Sequence, residues 1–212
     1  MIKVEVIVFN PFQENTYILS DETGACVIVD PGCLDENENE SLVGFIRNKG
    51  YRPESIVFTH LHLDHVFGSR FAKDVFNVKT IAHESDLSVL ANTRNYASMF
   101  GIDLRNDPAT IDVMANHGDE FVFGNSKLSV IHVPGHSPGS VVYYSATDGI
   151  CIVGDVLFRQ SIGRTDLPGG NHETLISGIQ KYLMVLPDDT VVYPGHGPST
   201  TIGFEKENNP YL

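Results

Sequence analysis

Basic residues are scarce: 14 lysines and arginines stand against 27 aspartates and glutamates, a formal charge of −13 over 212 residues. A field of that sign repels phosphate backbones and anionic bilayers, so neither nucleic acid nor a membrane surface is expected as a partner. A small-molecule substrate is the expectation instead, and the acidity is compatible with bound divalent cations. Cysteine is equally sparse. Cys26, Cys33 and Cys151 are odd in number and far apart, with no CxxC pair, which argues against a disulfide framework or a thiol metal knuckle. Cys26 and Cys151 lie in apolar runs and read as core thiols, whereas Cys33 follows the turn-forming Pro31-Gly32 and has room to be exposed. Long apolar runs are missing too, since nothing approaches the ~18 uninterrupted residues of a membrane span. The chain opens on β-like alternation, Lys3-Val4-Glu5-Val6-Ile7-Val8-Phe9, without the charged-then-apolar build of a signal peptide. A cytoplasmic, reduced setting is therefore expected.

What is present is ordinary for a globular chain: 42% hydrophobic and 19% charged residues, enough to bury one sizeable core. One domain over residues 1–212 is expected. Short runs rich in valine and isoleucine predict strands at Val4–Phe9, Thr16–Leu19, Cys26–Val29, Ser55–Phe58, Thr80–Ala82, Leu128–Val133, Val141–Tyr144, Ile150–Val153 and Thr190–Tyr193. Apolar positions three and four residues apart predict helices over Glu38–Lys49, Val66–Phe76, Glu84–Ala91 and Glu173–Leu186. Strands in two sets with helices between them predict an α+β fold, an αββα sandwich of two packed mixed sheets with helices on the outer faces. The stretch from Asn92 to Asn116 fits either a helix and loop forming a lid or a plain surface excursion.

Most of the predicted strands stop at Asp, His or Gly, where side chains are placed by a rigid scaffold. The densest such point is Thr59-His60-Leu61-His62-Leu63-Asp64-His65. Three imidazoles and a carboxylate so close together are hard to satisfy in a core, because each buried polar group needs its own partner. On a loop they converge as metal ligands, and the spacing can serve two ions, with His60 and His62 on one and Asp64 and His65 on the other. Further ligands must come from elsewhere. His136, Asp155 and His196 each follow a predicted strand and sit beside glycine.

Taken in order, His60-x-His62-x-Asp64-His65, Gly135-His136-Ser137-Pro138-Gly139-Ser140, Gly154-Asp155 and Pro194-Gly195-His196-Gly197 resemble the ligand set of the metallo-β-lactamase superfamily across nearly the whole chain. The resemblance implies one metal on His60, His62 and His136, a second on Asp64, His65 and His196, and Asp155 between them. It also implies a hydroxide held by the two ions as nucleophile, with Asp64 orienting it or accepting its proton. Two divalent ions are expected. The ligands suit zinc, and also iron or manganese. Within the family the chain looks most like the short glyoxalase II-like hydrolases, through Asn15-Thr16-Tyr17, Asp30-Pro31-Gly32, Gly154–Phe158, Ile162–Gly170 and Thr201–Pro210. That resemblance implies hydrolysis of small thioesters such as S-lactoylglutathione, without the helical domain that grips glutathione in the full-length enzyme.

Recognition would then fall to Phe158–Asn171, where Arg159 and Arg164 are candidates for a substrate carboxylate and an internal pair of Arg164 with Asp166 or Asp30 is the competing reading. Of the other histidines, His132 has the alternation to stand behind His136, while His83, His117 and His172 read as core or solvated. A rival function is a persulfide dioxygenase using a single iron on His60, His136 and Asp155, whose family shares a Gly-Arg-Thr-Asp segment like Gly163–Asp166. A non-catalytic scaffold is the third reading, though no ligand is missing. Lactonase, phosphodiesterase and β-lactamase chemistry stay open, as does the choice between monomer and homodimer.

Overall fold

In the computed structural model, which covers residues 1–212, the central strands are buried at every position and so need cover on both faces. Two six-stranded sheets stacked face to face provide it. The first takes β1 (Lys3–Phe9), β2 (Glu14–Ser20), β3 (Ala25–Val29), β4 (Arg52–Val57), β5 (Lys79–Ala82) and β6 (Val113–Met114) in sequence order. Its first three strands pair antiparallel, and β3 to β6 run parallel. Across the second sheet lie β14 (Thr200–Thr201), β13 (Val191–Pro194), β10 (Ile150–Gly154), β9 (Val141–Ser145), β8 (Ser126–His132) and β7 (Glu120–Phe123). Only β10 and β13 pair parallel there. A two-stranded ribbon, β11 (Leu157–Phe158) and β12 (Ser161–Ile162), stands apart. The helices are α1 (Glu36–Lys49), α2 (Leu63–Val66), α3 (Ser69–Phe76), α4 (Leu87–Ala91), α5 (Thr93–Met99), α6 (His172–Gly178) and α7 (Ile202–Asn208).

The period of two along each strand sorts the side chains into three cores. Tyr17, Leu19, Val27 and Val29 face Val130, Val141, Tyr143 and Ile152 between the sheets. Their neighbours Ile18, Cys26, Ile28 and Ile56 point the other way, onto Leu42 and Ile46 of α1 and Ala72 of α3. On the opposite outer face Val142, Cys151 and Val153 meet Leu175 of α6, Ile179, Leu183 and Ile202 of α7. The expected αββα sandwich is the observed fold. Helix α1 shows how its ends are set: Asp35 accepts from the Glu38 amide, acidic residues fill the first turn, and Gly50 closes the last turn in the left-handed region at φ 69°. No helix is long and apolar enough to cross a membrane.

Three sequence expectations change. Cys33 is buried, not exposed, because the start of α3 packs on it: a Cβ added at Gly68 would lie 2.1 Å from the Cys33 sulfur. Burial pushes its thiol up, as it does those of Cys26 and Cys151, so all three are inert core thiols. The single helix expected over 66–76 is two, α2 and α3, broken at Phe67-Gly68. The helix expected over 173–186 ends in a π-helical turn, Ile179–Leu183.

Ile152, fully buried between the sheets, tests the inter-sheet core. Ile152→Ala should lower unfolding free energy by about 2–5 kcal/mol in urea titration, while Val122→Thr, on an edge strand and 62% exposed, should change it by no more than about 0.5 kcal/mol.

Candidate metal centre

The two sheets deliver their polar strand ends to one edge of the sandwich. His60 leaves β4, His62 to His65 follow on into α2, and His136, Asp155 and His196 leave β8, β10 and β13, which all run in the same direction. All seven residues converge. The His62 Nδ1 and His136 Nε2 atoms are 2.9 Å apart, and His136 Nε2 is 3.3 Å from His60 Nε2. On the other side Asp64 Oδ2 lies 3.1 Å from His196 Nε2 and 3.7 Å from His65 Nε2. Within each of these two sets the candidate ligand atoms lie within 4.8 Å of one another. Asp155 stands between the sets, with Oδ1 3.5 Å from His65 Nε2 and Oδ2 3.6 Å from both His136 Nε2 and His196 Nε2.

Hydrogen bonds on the far side of the rings decide which nitrogen faces inward. His136 Nδ1 donates to the Arg164 carbonyl at 2.8 Å, His196 Nδ1 to the Phe12 carbonyl at 3.0 Å, and His65 Nδ1 to Asp30 Oδ2 at 3.1 Å. His60 Nδ1 donates to the Thr59 hydroxyl at 3.1 Å, and that hydroxyl in turn donates to Asp30 Oδ2 at 2.5 Å. These partners place a proton on Nδ1 and turn Nε2 toward the site, where, against the pull of burial, the Asp64 and Asp155 carboxylates hold the His65 and His196 imidazoles above the usual range until a cation takes the place of the second proton. His62 is the exception, turning Nδ1 inward.

Asp30 was not among the site residues read from the sequence. It is buried at the end of β3, takes the left-handed φ of 50° that a non-glycine residue seldom adopts, and accepts from the Thr59 amide at 2.7 Å as well. Its signal was the Asp30-Pro31-Gly32 strand ending, which carries no histidine to mark it.

The donor set fits divalent cations. Burial, together with the neighbouring histidines, holds His60 well below the usual imidazole range and brings His62 to about 3, so both rings are neutral at pH 7. Burial alone would raise the Asp155 carboxyl, but His65, His136 and His196 hold it below the usual carboxylate range, and Asp64 is lowered against the same burial by His65 and His196. Two atoms, His65 Nε2 and Asp155 Oδ1, are buried without any hydrogen-bond partner. His60 Nε2 and His136 Nε2 also crowd each other at 3.3 Å. Orphaned acceptors and anions gathered away from water are costly unless a cation joins them.

Glycine is what lets the loops close to this distance. A Cβ at Gly195 would lie 2.2 Å from Asp155 Oδ1 and 2.7 Å from His65 Cε1. At Gly154, held at φ +51°, a Cβ would lie 2.2 Å from the Thr59 hydroxyl.

The candidate ligands open on a cleft of about 250 Å³ whose remaining wall is Phe12, Leu63, Val89, Tyr96, Phe100, Leu167 and Pro168, with Arg164 at its rim. Tyr96 lies in α5 and Phe100 just after it, so the stretch read as lid or excursion does line the site; Phe100 meets Phe12 edge-on at 5.4 Å. Arg164 pairs with Asp166 through two bonds of 2.7 Å and not with Asp30, so the internal pair is the arrangement found. Arg159 lies outside the cleft wall, its guanidinium 4.5 Å over the Phe204 ring. His132 does not stand behind His136: it stacks on His83 at 4.0 Å and bonds the Pro138 carbonyl. His172 is an exposed residue at the start of α6, and His117 Nδ1 accepts the His132 amide.

Buried and exposed carboxylates of this site should behave oppositely. Asp30→Ala, which strands Thr59 and His65, should destabilise the metal-stripped protein by about 3 kcal/mol in urea unfolding, whereas Asp166→Ala, facing solvent beside Arg164, should leave the midpoint where it was.

Comparison with known proteins agrees with this geometry. The profile of the Metallo-beta-lactamase superfamily matches residues 9–196. A probable metallo-hydrolase of Bacillus subtilis, YqgX, is 38% identical over 205 residues, covering 95% of this chain and 93% of its own. The hydroxyacylglutathione hydrolase GloC of Haemophilus influenzae is 34% identical, covering 100% and 98%. Two crystal structures each match with a TM-score of 0.88 at 35% identity: the B3 metallo-beta-lactamase BLEG-1, covering 99% of both chains, and TTHA1623 in a di-iron-bound form, covering 98% and 100%. The chain belongs to the metallo-β-lactamase superfamily and is a metallo-hydrolase of that family.

Proposed function

We propose that this protein is a dinuclear metallo-thioesterase acting on small acylated thiols of the S-lactoylglutathione type. The observation that carries the reading is the position of Asp155, whose two carboxylate oxygens sit between two complete ligand sets, His60, His62 and His136 on one side and Asp64, His65 and His196 on the other. When bound, two divalent ions, with zinc the first choice by ligand type, would supply Lewis acidity and a water acidic near neutral pH. The chain's own part is to hold the imidazoles in fixed orientations through Asp30, Thr59 and the Arg164 carbonyl, and to line the approach with an apolar wall. Asp64 lines the cleft and is ionised, so it can orient the attacking water or accept its proton.

The glutathione hydrolase name of the Haemophilus relative supports the thioester class, and the di-iron form of TTHA1623 supports a two-metal site whose metal need not be zinc. Both ligand sets being complete favours two ions over the mononuclear iron of the dioxygenase reading. Hold on the thiol portion should be weak, because the cleft wall offers one cation, Arg164, and Asp166 already occupies its fork. Glutathione's carboxylates therefore have little to bind.

Elemental analysis of protein purified without added metal should find two ions per chain. Asp155→Ala should lose metal and roughly 100-fold in kcat/KM. Against S-lactoylglutathione the enzyme should turn over with a high KM, and a thioester lacking the glutathione carboxylates should compete on near-equal terms. Micromolar saturation by glutathione thioesters alone would contradict the weak-hold argument. Saturation at one iron, with oxygen uptake on glutathione persulfide and no thioester turnover, would move the assignment to the dioxygenase.

A further inference from the structure

Asp86 lies outside every ligand set, yet it is fully buried and its carboxylate is used up by loops that carry ligands. It ends the 3-10 turn Glu84–Asp86 that follows β5, the strand next to β4 in the parallel series. Its Oδ2 accepts the Leu61 amide at 2.9 Å, between His60 and His62. Its Oδ1 accepts the Ser137 hydroxyl at 2.6 Å and the Gly139 amide at 2.5 Å, in the turn that begins at His136. The fit is close: a Cβ at Gly139 would lie 2.7 Å from the Asp86 carboxyl carbon.

His60 is thereby bracketed. The amide before it, of Thr59, is held by Asp30 from β3, and the amide after it, of Leu61, by Asp86 from beyond β5. Asp30 also reaches His65, in the set with Asp64 and His196. Asp86 reaches only the loops of His60, His62 and His136. The two buried carboxylates thus overlap at His60 and diverge beyond it, Asp30 supporting His65 and Asp86 the turn at His136.

We infer that Asp86 is a positioning residue that fixes the spacing of His60, His62 and His136, and so sets the affinity of one ion of the pair selectively. The inference rests on the reading of those three histidines as ligands of one ion. An oxygen pair is required because two loops must be held at once. An asparagine of the same shape has a single acceptor, so it keeps one loop and turns an N–H donor against the donor of the other. Loss of a group that orients a ligand in this way costs 10–100-fold in metal affinity.

The test compares full-length wild type, Asp86→Asn and Ser137→Ala, each stripped and then titrated with zinc against a chromophoric chelator, with thermal midpoints of the metal-stripped proteins alongside. Asp86→Asn should weaken one zinc about 10–100-fold, leave the other as in wild type, and lower kcat with little change in KM. Ser137→Ala, which removes one donor and keeps the carboxylate, should weaken the same zinc by less, and it decides the question if Asp86→Asn does not fold. Equal weakening of both ions, or wild-type affinity for both with only a lower midpoint, overturns the inference and makes Asp86 a general structural residue. Wild type taking up no zinc or iron at all would instead sink the metal reading itself, and this inference with it.

Discussion

The structure turns on a carboxylate buried at the end of β3. A carboxylate buried this deeply is costly unless it is hydrogen-bonded, and the donors Asp30 finds are the amide and hydroxyl of Thr59 and the ring of His65. That requirement orients three groups at once. His65 has its proton drawn to Nδ1, Thr59 is turned so that its hydroxyl accepts from His60, and both rings then present Nε2 to the same space. The left-handed backbone at Asp30 is the local cost of aiming the carboxylate there, and its bonds offset it.

Because the ligands come from both sheets, the site exists only while the sandwich is closed. Bonds that cross between the sheets lie at both ends, with Asp21 taking the Asn125 amide and the Ser126 hydroxyl far from the site and a second group at this edge. Tyr17 donates its hydroxyl to the Pro194 carbonyl at 2.7 Å, and Asn15 donates to Pro194 and Gly197, so β2 of the first sheet grips the His196 loop of the second. From the other direction Tyr143 donates to the Phe58 carbonyl and the Val141 amide to that of Thr59, fixing β4 just before His60. The apolar core between the sheets supplies adhesion without direction, and these few bonds supply the register that brings ligand atoms within hydrogen-bonding distance.

The parts of this arrangement legible in the sequence are those with a period or a dense motif. Central strands such as β3 and β10 announce themselves by unbroken apolar runs, because both faces are covered, and the Asp/His/Gly endings mark where each strand meets the site. The short edge strands β6, β7, β11, β12 and β14 left no such run, since two to four residues with solvent on one side need no apolar pattern. Cys33 misled because its burial depends on Gly68, 35 positions on, which local pattern does not report. The same limit hid Asp86. An aspartate in Glu84-Ser85-Asp86 reads as a solvated helix start, and only the fold shows that three donors from two distant loops converge on it. His132 failed for a related reason: alternation gives the side of the strand but not what stacks there.

Chemistry and recognition are built on different material. The candidate ligands stand on strand ends and the start of α2, four of them buried (His60, Asp64, His65 and His136) and three half-buried, and the glycines at 154 and 195 leave no slack for a bulkier residue. Part of the facing wall, Val89, Tyr96 and Phe100, comes from α4, α5 and the residue after it, a short stretch between β5 and β6 in which Met99 and Phe100 stand 80% and 60% exposed and only Val89, Thr93 and Ala97 of the two helices are buried. A segment with so little burial opens at low free-energy cost and tolerates substitution, whereas the ligand edge does neither. The wall can therefore drift with the composition of α5 while the histidine and aspartate edge stays fixed, and relatives of about the same identity to this chain carry the names of a hydroxyacylglutathione hydrolase and of a B3 metallo-beta-lactamase. In this chain the wall is apolar, with Phe12, Tyr96 and Phe100 beside four aliphatic residues and Arg164 already paired with Asp166, so it offers apolar contact in place of ionic pairing.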